Sequence, residues 1–559
     1  MNPRFGPFEV DLEGRRLLKS GKAITLREQS FQVLTALMER PGEIVTREEL
    51  RKRLWPSDTF VDFEVALNSA VSRLRDALGD SAGSPNVIET IPKRGYRFVA
   101  PIPRQPAVAV MPFANQTGDA NDEYFSDGLT DELIRVLTRI ECLRVTAPSV
   151  VFRFKGQHHD AKQVGRELGV EAVLEGSVWK SGDRIRVTVN LVGVKDGFNL
   201  WAQRFDGNLG DVFGIQDQVC VAAAEALNVR LASRVPESRP ANMTAYMQYL
   251  KGAHLLKRRR PVDVQRAFEY FREAIQLEPG YAEPYYGAAM FYIINAAFGA
   301  MPPLAALSEA EDLVSRGLAL DEDSVRLHST LGMLRMFQWR WNESEEAHRR
   351  AVNMEPTNAF PHMVCAVLHS FCGRHNEAML HAAKSVELDP LDLMTNYRLL
   401  QANYYARRYD EAVRAGRIAI ELTPDSPYTC FYLALSLAAL GLRDEAWSTA
   451  NMGEKLNDKL PLGEGYFGYL AGVLGHTIEA RGVLGDLQAR RDKGYLPALP
   501  IAWTYLGLGE TGACLECLEA ALAEREPYLG SLMVFPGYDA IRNQPEFRRL
   551  ARELRFPTQ

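Results

Sequence analysis

VALNSAVSRLRDALGDSAGSPNVIETIPKRGYRFV, residues 65–99, is the stretch whose reading decides the fold. Leu67, Val71, Leu74 and Leu78 recur at a 4-3-4 spacing, which lays one apolar stripe along a helix. Asn68, Ser69, Ser72, Arg73 and Asp76 fall on the other faces, with Arg75 at the flank, and Gly79-Asp80 ends the helix. Val87 to Val99 then reads as two short strands around Pro92-Lys93-Arg94-Gly95, with Lys93, Arg94 and Arg97 near the tip. A helix with small polar and Arg residues on its free side, followed by a basic hairpin, suits nucleic acid. The helix fits a major groove while the hairpin reaches phosphates or the minor groove.

Outward from this stretch, FGPFEVDLEGRRLLKSGKAITL, REQSFQVLTALMERPGEIVTREELRKRLWP, LNSAVSRLRDALGD and IETIPKRGYRF follow one another in order. Together they resemble an OmpR/PhoB-type winged-helix DNA-binding domain over about the first hundred residues. The resemblance implies double-stranded DNA as partner, with Asn68, Ser69, Ser72 and Arg73 at the major groove and Arg75 at a phosphate. Lys93, Arg94 and Arg97 then belong to the wing, with Tyr96 packed under it. Before the helix, the loop 57–64 carries Asp58, Asp62 and Glu64. In this family the equivalent loop often touches RNA polymerase, although an acidic turn can equally be simply solvated. Family members also bind tandem sites as homodimers.

The chain has 559 residues, 46% apolar and 24% charged, which is ordinary for a folded soluble protein of three or four domains. Net charge is -6, yet residues 1–104 hold 17 Lys/Arg against 14 Asp/Glu, so the placement of cations marks a DNA binder better than their number. The amino terminus lacks a signal-peptide core. Seven scattered cysteines suggest a reducing, cytoplasmic setting. The uncharged run Gly287–Ser308 is interrupted by Pro302-Pro303 and reads as repeat helix plus turn, so no membrane is expected as a partner.

Residues 4–24 read as a small antiparallel sheet and 27–40 as helix one. Thr46 with Glu49 forms a capping-box pattern for helix two. The segment 101–106, Pro-Ile-Pro-Arg-Gln-Pro, is stiff and marks a boundary. Next, AVAVMPF reads as a buried strand and EYFSDGLTDELIRVLTRI as a helix, and 173–179 with 185–192 as a hairpin around Ser181-Gly182-Asp183. VAVMPF, YFSDGLTDEL, SVVFRFKG, LGVEAVLEGSV and LWAQRFD resemble the TolB-N-like α/β module. Asp119, Asp122, Glu123, Asp127, Asp131 and Glu132 crowd the start of its first helix, where the dipole alone favours acids.

From about residue 243 an apolar helix ending in an acidic-proline corner repeats: LEP 277–279, MEP 354–356, LDP 388–390 and LTP 422–424. Pro356, Pro390 and Pro424 are 34 apart, a period that resembles tetratricopeptide repeats. About nine extra residues precede Glu322, most simply in the Phe298–Ala306 turn. Small residues mark close helix approaches at Ala267, Gly332, Ala366, Ala378, Ala412, Ala434 and Ala446. The resemblance implies a concave groove presenting Met333, Phe337, Phe360, Met363, Phe371, Tyr397, Tyr404, Tyr405, Tyr428 and Phe431 to a protein or peptide ligand. Several of these can instead pack between repeats.

Gly507–Gly512 matches GxGxxG by letter but follows a helix, and Gly79–Gly83 is the loop before the wing. Cys365, His369 and Cys372 share a helical face, and Cys514 and Cys517 lie on a repeat helix; all five read as core. No catalytic residue, metal site or cofactor is assigned, and an enzyme is not expected. The expected architecture is a winged helix (1–103), a linker (104–106), an α/β module (107–232), an all-α repeat solenoid (243–530) and a capping helix (531–559). It fits a one-component transcriptional regulator without receiver domain or membrane helix, unlike CadC-type relatives. Rival readings are a scaffold whose winged helix no longer reads DNA and a cyclase-associated regulatory protein.

Overall fold

The computed structural model describes residues 4–11, 14–19, 22–55, 63–100, 106–140, 143–157, 159–227, 229, 240–258 and 260–557, in two compact units divided after Gln105. The first opens with a four-stranded antiparallel sheet, β1 (Arg4–Phe5), β2 (Phe8–Asp11), β3 (Arg16–Lys19) and β4 (Lys22–Ile24). Helix α1 (Glu28–Met38) follows, then strand β5 (Ile44–Thr46), α2 (Arg47–Leu54) and α3 (Phe63–Leu78). Strands β6 (Ile88–Ile91) and β7 (Gly95–Phe98) complete a second sheet in the order β5-β7-β6. The expected capping box is present, since Thr46 and Glu49 cap each other's backbone at the start of α2. Hydrogen bonds from Arg40 and then from the Thr46 backbone and hydroxyl hold the Glu49 carboxyl down at about 2. All four stripe residues of α3 are buried, in one core with Phe31, Leu34, Leu37 and Phe98. The expected linker residues 101–105 lie outside the described residues.

The second unit begins with an α/β region. Its strands are β8 (Ala107–Val110), β9 (Ala114–Asn115), β10 (Arg144–Val145), β11 (Ala172–Ser181), β12 (Arg184–Gly193) and β13 (Asn199–Asn208). They run in the order β10-β8-β11-β12-β13, with β9 beside β11. The β8, β9 and β10 pairings are parallel, and β11-β12-β13 is an antiparallel meander. The expected hairpin turns at Gly182-Asp183, where Gly182 takes φ +60°. Helices α4 (Glu123–Thr138), α5 (Pro148–Phe152), α6 (Ala161–Leu168) and α7 (Val212–Ala226) complete the region.

Eight helical hairpins follow. They are α8 (Met243–Leu256) with α9 (Pro261–Leu277), α10 (Glu283–Ala297) with α11 (Pro303–Leu320), and α12 (Val325–Phe337) with α13 (Trp341–Met354). Next come α14 (Ala359–Phe371) with α15 (His375–Leu388), α16 (Leu393–Tyr405) with α17 (Tyr409–Leu422), and α18 (Pro427–Ala439) with α19 (Arg443–Leu456). The last are α20 (Pro461–Leu474) with α21 (Thr477–Arg491) and α22 (Leu499–Gly507) with α23 (Thr511–Ala523). A tail of two 3-10 turns, Pro527–Ser531 and Pro536–Ala540, leads to α24 (Pro545–Glu553). The extra residues before Glu322 do not sit in one turn as expected. Most of them lengthen α10 to 15 and α11 to 18 residues, against 13 and 14 in α14 and α15, and the turn 298–302 between them is also longer than its counterpart 372–374. Gly332 meets His348 so closely that a Cβ there would lie 2.3 Å from the ring.

The α/β region and the repeats share one core, in which Leu129 and Leu133 join Tyr246, Leu250 and Phe271. The acidic corners of the repeats are also partners for it. Arg139 donates to Glu355 at 2.9 Å, and the Ser149 hydroxyl donates to Asp389. Burial pushes the Asp389 carboxyl up to about 6. Of the acids at the start of α4, Asp127 is bound by Lys155 at 2.6 Å and lies 3.3 Å from His254. Lys257, in the turn after α8, pairs with Asp131 of α4. Among the described residues no helix is long and apolar enough to cross a membrane.

Candidate nucleic-acid interface

Helix α3 and the β6–β7 wing are bolted together by two polar clusters, and what those clusters consume determines what is left for a ligand. In the first, the buried Asp80 carboxylate accepts from the backbone N–H groups of Asn86 at 2.7 Å and Ile88 at 2.8 Å, which fixes the path from helix to wing. Arg75 donates to the Ile88 carbonyl at 2.6 Å and to the Thr90 hydroxyl at 2.9 Å. The phosphate role expected of Arg75 is therefore corrected: its guanidinium turns inward and ties helix to strand.

The second cluster centres on Arg47, a residue not singled out from the sequence. It donates to Glu64 at 2.6 Å and Asn68 at 3.1 Å, reaches the Tyr96 hydroxyl at 3.2 Å and lies 5.2 Å from the Tyr96 ring centre. A cation in the first turn of a helix opposes the dipole, and that was the available signal. Tyr96 is buried beneath the wing as expected, its hydroxyl pushed above its usual value by burial, and it donates to Asn68 at 2.7 Å. The Asn68 carbonyl oxygen is thus spent. It retains an amide donor but not the donor–acceptor pair by which Asn recognises adenine.

The remaining expected residues are differently placed. Ser72, Lys93 and Arg94 are exposed, and Ser69 and Arg73 are half-buried on the free side of α3. Among the described residues no ion pair or side-chain hydrogen bond engages Arg73, Lys93 or Arg94, and Arg73 Nε is buried without a partner. Lys93 takes φ +62° at the wing tip. Arg97 is partly committed, 3.3 Å from Glu89. Asp58 and Asp62 of the expected polymerase-facing loop lie outside the described residues, and Glu64 is paired to Arg47. Gly95 admits no side chain, because a Cβ would stand 2.0 Å from the Val45 carbonyl oxygen. Gly95→Ala should destabilise the domain by about 3 kcal/mol, read as a lowered first unfolding transition and lost duplex binding; an unchanged melt would refute the clash.

The repeat groove differs from an open concavity. Met333, Phe337, Met363, Phe371, Tyr397, Tyr404, Tyr405 and Phe431 are buried, and Phe360 and Tyr428 partly so. The protein's own tail covers many of them. Tyr528 packs 6.0 Å from Phe337 and from Phe371, and Phe535 lies 6.2 Å from Tyr404. Trp341 donates to the Leu554 carbonyl at 2.8 Å and stacks on Phe556. Beyond them Tyr405, Tyr432 and Tyr466 join hydroxyls at 2.7 and 2.9 Å, and Tyr466 stacks on Trp503. Burial pushes the Cys365 thiol up to about 12 and Cys372 to about 11, consistent with core thiols. Among the described residues no group of three or more His, Cys, Asp or Glu side chains is placed to hold a metal ion.

Comparison with known proteins bears on both units. Residues 21–98 match the family described as transcriptional regulatory protein, C terminal, and residues 104–220 match the second domain of HilA/YgeH-like transcriptional regulators. A Rhizobium meliloti protein named as an adenylate cyclase is 31% identical over 253 residues, 44% of this chain and 43% of its own length. The transcriptional regulator HilA of Salmonella typhimurium is 23% identical over 348 residues, 59% of this chain and 60% of its own. The chain thus spans about half the length of these relatives. Among solved structures YrrB, described as a TPR protein with an unusual peptide-binding site, aligns at 16% identity over 34% of this chain and 94% of its own, with a TM-score of 0.24. Residues 21–98 thus match the carboxy-terminal, OmpR/PhoB-type winged-helix domain of transcriptional regulators, and the same chain carries the paired helical repeats described above.

Proposed function

We propose that Arg73, with Ser69 and Ser72, reads base edges in the major groove, and that Lys93 and Arg94 hold the adjoining backbone. Asn68 adds at most a single donated hydrogen bond, Arg97 supports the wing, and Arg75 and Arg47 hold the frame. The observation that carries this is the division of the cations: Arg47 and Arg75 donate to groups inside the domain, while the guanidinium and ammonium groups of Arg73, Lys93 and Arg94 have no partner among the described residues. A TolB-N-like α/β region fused to the repeats then acts as the input part, through which a ligand or protein partner governs DNA binding.

Binding titrations against a cognate and a scrambled duplex test the division. Arg73→Ala should reduce the preference for the cognate by about 1–3 kcal/mol. Lys93→Ala or Arg94→Ala should weaken both duplexes alike and flatten the salt dependence by roughly 0.9 log unit per log unit of salt. Equal losses on both duplexes in all three variants would overturn the assignment.

The relative named as an adenylate cyclase favours a second reading. Its 253 matched residues exceed twice the length of the amino-terminal unit, so most of that likeness lies in residues 106–559. In this reading the α/β-plus-repeat unit is an input shared between different outputs, DNA binding here. Cyclic nucleotide made from ATP by the purified chain would favour a catalytic role instead.

A further inference from the structure

The α/β sheet ends in a strand with little to protect it. β13 is ten residues long, pairs with β12 along one edge, and among the described residues has no strand on the other. Edge strands are ordinarily blunted by shortness, Lys, Pro or a covering element. β13 has neither Lys nor Pro, and its one bulge, at Leu200 where the register with β12 shifts, is confined to its first residues. Its only charged residues are Arg204 and Asp206, which pair with each other at 2.8 Å, while Arg186 of β12 reaches Asp206 at 2.5 Å. At the start of the strand Phe198 is 73% and Leu200 48% exposed. Beside its far end lies an open depression of about 530 Å³, lined by Arg204, Asp206, Gly210, Gly214 and Gln218.

We propose that β13 is a dimerisation strand, onto which a second copy of this chain adds its own β13 antiparallel about a two-fold axis at Phe205. An axis perpendicular to the sheet continues each face into the same face of the second copy, so only residues of like parity can stand opposite each other. With the axis at Phe205, Arg204 of each copy faces Asp206 of the other, and two cross-strand ion pairs form at once. Gln203 faces Gly207 and Ala202 faces Asn208. An axis at Arg204 would set that guanidinium against itself, and an axis at Gln203 would place Asp206 beyond Trp201, opposite the bulge and without a facing cation. Charge selects the register.

Sedimentation equilibrium of the full chain, from about 1 to about 100 µM, should show a monomer–dimer equilibrium. Arg204→Asp sets carboxylates against carboxylates, and Asp206→Arg sets cations against cations. Each variant alone should weaken the dimer by at least about tenfold, while retaining the circular dichroism and melting of the parent. An equimolar mixture of the two should recover association, because each carboxylate then faces a guanidinium of the other variant. A parent that stays monomeric throughout, a dimer indifferent to both substitutions, or a mixture that fails to associate would overturn the proposal.

Discussion

Phe535→Ala lowers the stability of the helical unit by about 3–5 kcal/mol, and ending the chain after Glu526 lowers it further. Phe535 is 1% exposed, and its ring lies 5.3 to 6.2 Å from those of Tyr404, Tyr469, Trp503 and Tyr538. Truncation would also strip Tyr528 from Phe337 and Phe371, Tyr538 from the Trp503 indole N–H at 2.7 Å, and Asp539 from Arg407 at 2.6 Å. A solenoid normally ends in a cap that covers one terminal repeat. Here the tail also runs back to α12, α13 and α14, so its loss leaves a long aromatic surface facing water. Urea unfolding followed by circular dichroism, together with binding of a hydrophobic dye, reads the effect. A truncated chain that melts with the parent and binds no dye would show the tail to be a loose appendage. The prediction also constrains the input: a partner reaching this face must displace Tyr528 and Phe535, so it competes with a segment already covalently attached.

The local half of this architecture is legible in the residues. The 4-3-4 stripe of α3, the Thr46–Glu49 box, the turn at Gly182-Asp183 and the 34-residue step of the proline corners are each set by neighbours along the chain, and each takes its expected form. The tail is a different matter. Tyr528, Phe535 and Tyr538 have no repeat period of their own, and their partners lie up to about two hundred residues away, so their burial follows from how far the solenoid curls. The acidic corners were readable as repeat ends, but not as acceptors for Arg139 and Ser149, because that depends on where α4 and α5 dock. At the DNA-binding surface the sequence supplies the cations without their allegiance. Arg73 and Arg75 sit two residues apart on one helix, and only the wing's proximity to one of them makes it a brace.

Acid should weaken the repeats through histidines the sequence shows only as scattered letters. His348 on α13 is 1% exposed, with neither ring nitrogen hydrogen-bonded, and burial pushes it down to about 3 from its usual 6.5, helped by nearby His369 and His381. His381 on α15 is pushed down to about 4 by burial and by His362 and His369. Its Nδ1 lies 2.9 Å from that of His362, a contact that requires one bare nitrogen, and its ring stacks on His369 at 5.3 Å. Folded values below the unfolded one mean that the unfolded chain takes up protons first. The contribution is therefore complete above pH 6.5 and lost as pH falls toward 4 and 3. Each histidine costs about 1.4 kcal/mol per pH unit within that window, or about 4 kcal/mol for the two at pH 5. Half-buried Glu454 and buried Glu526, both pushed up to about 7, act with the opposite sign, since acid relieves their desolvation as pH falls from 7 toward 4.5. The profile of the parent chain mixes both contributions, and only a difference isolates the histidines. His348→Leu with His381→Gln should gain about 4 kcal/mol on the parent between pH 7 and pH 5, measured by urea denaturation at the two values. Parallel profiles would mean that these rings already carry protons in the folded chain.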